Sequence, residues 1–316
     1  MIVVSTTALF CQGDDFIREG VLRLLDLPRD ASVCWINRFC IQPNLPAPEQ
    51  LLAQARAFVM AGSPAWIDNE ERWYEAALKN NTPIWLVGVR MSQTNRDVLK
   101  QCARLVKVAT TGDFCATLPL NAAGIAHKTF LDPAFHAPYF TPREKDIDIV
   151  FCYRRGVFAG EPDAARMAAI YERLFLRFRD RIGAVVVHEP QEVAIARRIF
   201  NRPVFFNSDP AAYADVYGRA RVFIGGRIHG AVPVLAMGGE AHLLYGNKWG
   251  KQAGVTENTH RLPVRVYKPE DWERIKPGIN GHPDAALAEI AEDFAEHRAY
   301  LKARLASAER ETGQDG

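Results

Sequence analysis

The stretch "VFIGGRIHGAVPVLAMGG", Val222–Gly239, passes from a short apolar β-type run through two glycines, an arginine and a histidine into an apolar run of helical character. A buried strand that turns sharply into a buried helix is the recurring joint of parallel α/β proteins. The same alternation continues on either side of it. Upstream the pattern predicts strand Ile149–Cys152, helix Asp163–Phe178, strand Ala184–Val187, helix Gln191–Phe200, strand Val204–Phe206 and helix Ala211–Arg219. Strand Val222–Ile224, helix Gly230–Met237 and strand Ala241–Tyr245 follow. Elements in that order make a doubly wound domain.

The first half repeats the theme, with strands expected near Ile2–Ser5, Ser32–Ile36, Ala57–Ala61, Pro83–Val87 and Lys128–Leu131. Helices are expected near Asp15–Leu25, Asn69–Asn80 and Arg96–Leu105. Between the halves, "HAPYFTPREKDIDIV" combines prolines and a burst of charge with the start of a new strand pattern, which is what an interdomain linker looks like. The expected organisation is an N-terminal Rossmann-like domain over residues 1–143, a C-terminal one over 144–283, and a helix with a frayed tail over 284–316. That last helix should open on Asp284, which can cap its first turn, and run to about Arg304.

The chain has 316 residues, 48% of them hydrophobic and 24% charged, enough apolar material for two buried cores and too much for a disordered chain. A formal charge of +2 with basic residues spread along the sequence leaves no footprint for tight nucleic-acid binding. The six cysteines (Cys11, Cys34, Cys40, Cys102, Cys115, Cys152) form no C-x-x-C pair and sit mostly in or beside apolar runs, as reduced buried thiols do. The N-terminus lacks a basic segment, and no run approaches the roughly 20 apolar residues of a membrane span. The expected location is cytoplasmic, without a signal peptide or membrane segment.

Open α/β sheets bind ligands beyond the carboxyl ends of their strands, so the strand-to-helix turns carry the candidate chemistry. In "IGGRIHGAV", Gly225, Gly226 and Gly230 permit a tight turn and close backbone approach, and the helix start offers N–H groups and partial positive charge. Arg227 can grip a carboxylate or phosphate bidentately, and His229 can serve as a general acid near neutral pH. The plainer reading is a tight turn, a surface arginine and a core histidine; the combination in one joint favours an anion site. Tyr245, Asn247 and Lys248 in "LLYGNKWGK" would lie beside it, Lys248 either as a second positive charge or as a solvated lysine.

His188 in "VVVHEPQEV" either contacts substrate or caps the helix that Pro190 opens. Arg154 and Arg155 in "FCYRRG" end the domain's first strand, as ligand contacts or as exposed arginines. In the first half, Gly13, Asp14 and Asp15 begin an amphipathic helix; either acid can be its N-cap or first-turn charge, and one can hold or deprotonate an acceptor hydroxyl. Gly62 in "VMAGSPAW" marks a further strand-to-turn transition able to line an acceptor site. Trp66, Trp73 and Trp249 suit core packing better than sugar stacking. No P-loop, H-E-x-x-H or G-x-S-x-G motif is present, and no residue cluster along the sequence specifies a metal site, so none is expected.

The order of these motifs resembles the polysaccharide pyruvyl transferase family. The resemblance rests on Gly226-Arg227-Ile228-His229, where that family commonly has Ser-Arg-x-His, with "QGDDFI", "FLDPAF", "VVVHEPQE" and "LLYGNK" in matching order along nearly the whole chain. It implies a GT-B-like fold, two Rossmann-like doubly wound domains facing across a cleft. It also implies phosphoenolpyruvate as donor and co-substrate, a sugar or glycan-like acceptor, and a cyclic pyruvate ketal formed with release of phosphate and without cofactor or metal. Arg227 would hold the donor carboxylate or phosphate, and His229 would protonate the enol carbon or assist loss of the bridging oxygen. Asp14 is the candidate base. The chain departs from the family at Gly226, at "VMAGSPAW" and at Arg90 in "LVGVR", mainly on the acceptor side. Two alternatives stand beside this reading. One is a GT-B glycosyltransferase with a nucleotide-sugar diphosphate on Arg227 and Lys248 and Glu240 at the ribose; the other is a non-catalytic anion- or glycan-binding relative.

Overall fold

A computed structural model describes residues 1–6, 12–28, 30, 32–37, 46–62, 64–65, 71–91, 96–112, 116–155, 164–244, 262–278 and 283–313. The chain forms two compact units. The first comprises Met1–Leu9, Ile17–Ala137 and Glu292–Gly316, and the second Phe10–Phe16 with Pro138–Ala291.

The first unit is built on a parallel sheet of β1 (Ile2–Thr6), β2 (Val33–Asn37), β3 (Ala57–Ala61), β5 (Ile84–Met91), β6 (Val106–Thr111) and β7 (Lys128–Thr129). Their order is β2-β1-β3-β5-β6-β7, and the two-residue β4 (Pro64–Ala65) pairs with the end of β5. All five residues of β3 are buried, the continuous apolar run expected of a parallel strand covered on both faces. Helix α1 (Gln12–Leu25), whose residues up to Phe16 group with the second unit, and helices α2 (Pro48–Leu52), α3 (Glu71–Asn80), α4 (Arg96–Cys102) and α5 (Thr117–Ala122) alternate with the strands. On α3, Trp73, Tyr74, Ala76 and Ala77 form the inward stripe, and Trp73 stacks on Phe58, so this tryptophan is core.

The second unit carries β8 (Ile147–Cys152), β9 (Ile182–Val186), β10 (Val204–Phe205), β11 (Ala220–Gly225), β12 (Glu240–Leu244) and β13 (Val264–Tyr267). The sheet is parallel in the order β10-β9-β8-β11-β12-β13. That is the Rossmann order 3-2-1-4-5-6, with the direction of winding reversing between β8 and β11. Helices α6 (Ala164–Phe178), α7 (Pro190–Phe200), α8 (Pro210–Gly218) and α9 (Ile228–Ala236) connect the strands. On α6 the buried Met167, Ile170, Tyr171, Leu174, Phe175 and Phe178 recur at helical spacing. Phe151, Phe175 and Phe200 meet beneath it in one aromatic cluster. Burying each such ring contributes about 1.5–3 kcal/mol. The expectation of two doubly wound α/β units holds.

The elements differ from expectation in detail. The pattern predicts helix to Leu105, whereas α4 ends at Cys102, a 3-10 turn spans Ala103–Leu105 and β6 follows at once. The last helix, α10, runs from Pro283 to Gly313, beyond the fraying point expected near Arg304. Asp284 lies inside its first turn. The part of α10 from Glu292 onward belongs to the first unit, where Asp293 accepts from Leu131 N at 3.0 Å and Glu296 pairs with Lys128 at 2.9 Å. His297 on the same helix is fully buried, and burial holds its pKa well below the ordinary histidine value. Among the described residues no helix is long and apolar enough to cross a membrane.

Candidate functional site

The reversal point of the second sheet lies between β8 and β11, where Gly225 pairs with Cys152. The chain leaves β8 through Arg154 and Arg155 and leaves β11 through Gly226 and Arg227, so three cations emerge at the place where doubly wound sheets hold ligands.

Close packing explains the glycines of this joint. A Cβ on Gly225 would stand 2.5 Å from the carbonyl oxygen of Cys152, and one on Gly230 would stand 2.7 Å from the Phe223 ring. A Cβ on Gly226 would run into the Tyr171 hydroxyl, with Arg154 Nε 3.4 Å away. A Cβ on Gly13 would lie 2.5 Å from that of His229, so the head of α1 passes directly over the histidine.

Arg227 is the N-cap residue of α9, in extended conformation, and its own side chain makes no capping hydrogen bond to the helix. The start of α9 therefore offers N–H groups and the positive end of its dipole. The guanidinium is largely buried and clamped by two carboxylates, with Nη2 2.7 Å from Glu189 Oε1 and 2.6 Å from Glu192 Oε1. Glu192, the third residue of α7, is fully buried. Its Oε1 also accepts from Arg155 N at 2.8 Å, and its Oε2 from His188 N at 3.3 Å. This carboxylate thus ties the turns after β8, β9 and β11 together. Glu189 is the more exposed of the two.

His229 Nδ1 lies 3.9 Å from Asp14 Oδ1, with both side chains about one-sixth exposed. Asp14 is the third residue of α1, not its cap, because the helix begins at Gln12. Asp15 lies in the same turn and is buried. An imidazole backed by a carboxylate at a cationic turn can deliver a proton to a leaving oxygen or an adjacent carbon.

The other candidates fall elsewhere. His188 neither caps α7, whose N-cap is Glu189, nor reaches the surface. Its Nε2 meets Tyr217 Oη at 2.6 Å, and burial first, then the charges of Arg227 and His229, keep its pKa well below the usual value. Tyr217 Oη donates to Cys152 Sγ at 3.8 Å, and the Cys152 thiol is pushed up to about 12 by burial, which makes it inert as a nucleophile. Arg154 is buried at the base of the turn, whereas Arg155 is exposed. Gly62 belongs to the first unit, where its φ of +50° and the Ile17 side chain packed against it account for glycine. Tyr245, Asn247 and Lys248, with Trp66 and Trp249, lie outside the described residues.

Two contributors escape the sequence reading, Glu192 and Tyr171. A glutamate three residues after an N-cap was a usable signal for the first, since that position commonly reaches back to backbone N–H groups. Glu240, weighed as a ribose ligand, stands at the first position of β12, at the opposite end of the sheet from Arg227. There its Oε1 accepts from Gly278 N at 2.6 Å and lies 3.3 Å from His242 Nε2.

No protein-family model matches the chain, and no curated protein matches its sequence. Solved structures do match its fold. A putative UDP-N-acetylglucosamine 2-epimerase from Listeria monocytogenes superposes with a TM-score of 0.59 at 9% identity, covering 98% of this chain and 97% of that one. UDP-GlcNAc 2-epimerase from Neisseria meningitidis, bound to UDP-GlcNAc, gives 0.55 at 8% identity over 97% and 100% of the two chains. The Methanocaldococcus jannaschii enzyme, in complex with UDP-GlcNAc and UDP, gives 0.52 at 10% identity over 92% and 98%. Together with the two strand orders, these likenesses establish a GT-B-like fold of two Rossmann-like domains.

Proposed function

We propose that this chain is a transferase of sugar or glycan metabolism that binds a phosphorylated donor at the β11–α9 turn of its second domain. The observation that carries the proposal is Arg227, held at the sheet's reversal point by Glu189 and Glu192 and followed two residues later by His229. In this reading a donor phosphate takes the place of Glu189 on the guanidinium and accepts from N–H groups at the start of α9, while Glu192 keeps Arg227 aimed. His229, with Asp14 behind it, protonates the departing oxygen or the reacting carbon.

A nucleotide sugar is the donor favoured by the likeness to enzymes whose structures contain UDP-GlcNAc. A second reading, pyruvyl transfer from phosphoenolpyruvate to sugar hydroxyls, is favoured by the residues themselves. An arginine and an acid on one turn meet the needs of a small enol phosphate, whereas the one ribose ligand considered, Glu240, lies at the far end of its strand.

Calorimetric titration of the full chain with UDP-GlcNAc and with phosphoenolpyruvate, repeated on Arg227→Ala and His229→Ala, tests both. Saturable binding of either ligand that is lost in Arg227→Ala and kept in His229→Ala supports the shared site and names the donor. Binding of neither, or binding indifferent to Arg227, refutes the proposal.

A further inference from the structure

The first domain contains a second chemical cluster, remote in sequence from the turn just described and independent of its assignment. The segment Pro133–His136 is a 3-10 turn whose N-cap, Asp132, accepts from Ala134 N at 2.9 Å. The turn ends on His136, which is buried. On α10, Asp293 and His297 are four residues apart and so share one helix face. All three residues belong to the same unit.

His136 Nε2 lies 3.0 Å from Asp293 Oδ2, and one ligand atom from each of His136, Asp293 and His297 lies within 4.8 Å of the others. Donor atoms bound to a common tetrahedral zinc at about 2.0–2.1 Å stand about 3.3 Å apart, so small side-chain shifts suffice to close on an ion. The surroundings also fit. Asp293 Oδ1 is fixed by Leu131 N at 3.0 Å, leaving Oδ2 for the cluster. His297 Nε2 is tied to Thr110 Oγ1 at 3.0 Å, while its Nδ1 is buried and has no hydrogen-bond partner among the described residues. A ring nitrogen anchored by a hydroxyl with the opposite nitrogen open is the arrangement that orients a metal-bound histidine. Phe130 stacks on His297 with centroids 4.2 Å apart, and Phe294 packs against His136 at 5.2 Å, giving the cluster an apolar wall. Asp293, with 17% of its side chain exposed, supplies a path to solvent.

We propose that His136, Asp293 and His297 form a binding site for a divalent transition metal of the zinc type, with a fourth position open to water. Two imidazoles and one carboxylate are a donor set suited to zinc and cobalt rather than to magnesium or calcium, which prefer oxygen. All three ligands come from the 3-10 turn and α10, so a bound ion would fasten the helix to the domain it packs against.

The test uses the untagged full chain, stripped with chelator and titrated with Zn²⁺ against a chromophoric competitor and with Co²⁺ by visible absorption. One equivalent of zinc, a tetrahedral cobalt spectrum and a zinc-dependent rise in Tm are expected. Asp293→Asn, which retains an oxygen for Leu131 N, and His136→Gln should each weaken zinc binding at least tenfold, the scale on which even groups behind the ligands act. Circular dichroism of the metal-free variants checks that they fold. Absence of stoichiometric binding by the wild type, or undiminished binding by both folded variants, would overturn the assignment and leave the cluster as a hydrogen-bonded helix anchor.

Discussion

Glu192 meets Arg227 at 2.6 Å from the first turn of a different helix, and the same carboxylate oxygen accepts from Arg155 N. A buried carboxylate with several donors positions a cation that would otherwise be free to swing, and it loses that ability as soon as its charge or reach is removed. Truncation in Glu192→Ala leaves a largely buried guanidinium with one carboxylate fewer and two backbone N–H groups unsatisfied. The expected loss of stability is about 3–5 kcal/mol, the scale for breaking a buried pair by removing one partner. Glu192→Gln still accepts from the backbone and should cost less. Urea unfolding of both variants measures the difference, and equal losses would show that the retained backbone hydrogen bonds contribute nothing and that the charge on Glu192 carries the whole effect.

Tyr171 and Gly226 make a steric pair at the same joint. The tyrosine hydroxyl occupies the space that a side chain at position 226 would need. Gly226→Ala should therefore destabilise by about 1–3 kcal/mol through overpacking. Tyr171→Phe, introduced together with it, removes the obstructing oxygen and should recover at least half of that cost. A double-mutant cycle reads the coupling directly; strictly additive effects would disprove the contact.

Much of this joint is legible in the sequence because it is local. The apolar run Val222–Ile224, the glycine pair and the arginine and histidine lie within a few residues of one another, and their spacing alone places them on a strand-to-helix turn. Glu192 is not legible in that way, since its partners Arg155 and Arg227 are 37 and 35 residues away. The His136–Asp293 pair spans 157 residues, beyond any motif spacing. Strand β6 is missed because "VKVATT" follows a helix after a three-residue 3-10 turn, with no glycine or proline to punctuate the change. The end of α10 looks like a fraying tail by polarity, yet its alanines, arginines and glutamates are strong helix formers and the helix continues to Gly313.

His229 should separate binding from chemistry. If it moves a proton, His229→Asn lowers kcat about 10²–10⁴-fold while donor affinity changes only a few-fold. Asp14→Asn should lower kcat less, because the imidazole remains in place. Steady-state kinetics with the donor identified by titration distinguish this from a binding role, in which KM would carry the whole effect.

Glu240 provides a negative control within the same domain. It lies at the start of β12, bonded to Gly278 N and near His242, away from the strand ends that bear Arg227. Glu240→Gln keeps an oxygen for the Gly278 N–H and should leave the affinity for either donor within twofold. A loss beyond tenfold in calorimetry, with folding intact, would reinstate it as a ligand contact.

Lys145 gives the second domain a definite response to alkali. Its Nζ donates to Gly218 O at 2.8 Å, yet burial, with a smaller contribution from Arg221, lowers its pKa from 10.5 to about 8. Below about pH 8 the lysine is charged in both folded and unfolded chains, and the fold bears the full cost of keeping that charge partly out of water. Between about 8 and 10.5 the unfolded chain binds more protons than the folded one, so this group's contribution to stability rises with pH across that window. Lys145→Met removes the titration. The Tm of the variant minus that of the wild type should therefore be most positive near pH 7 and should decline steadily from pH 8 to 10.5. A difference that stays flat over that range would show that Lys145 titrates as an ordinary solvated lysine.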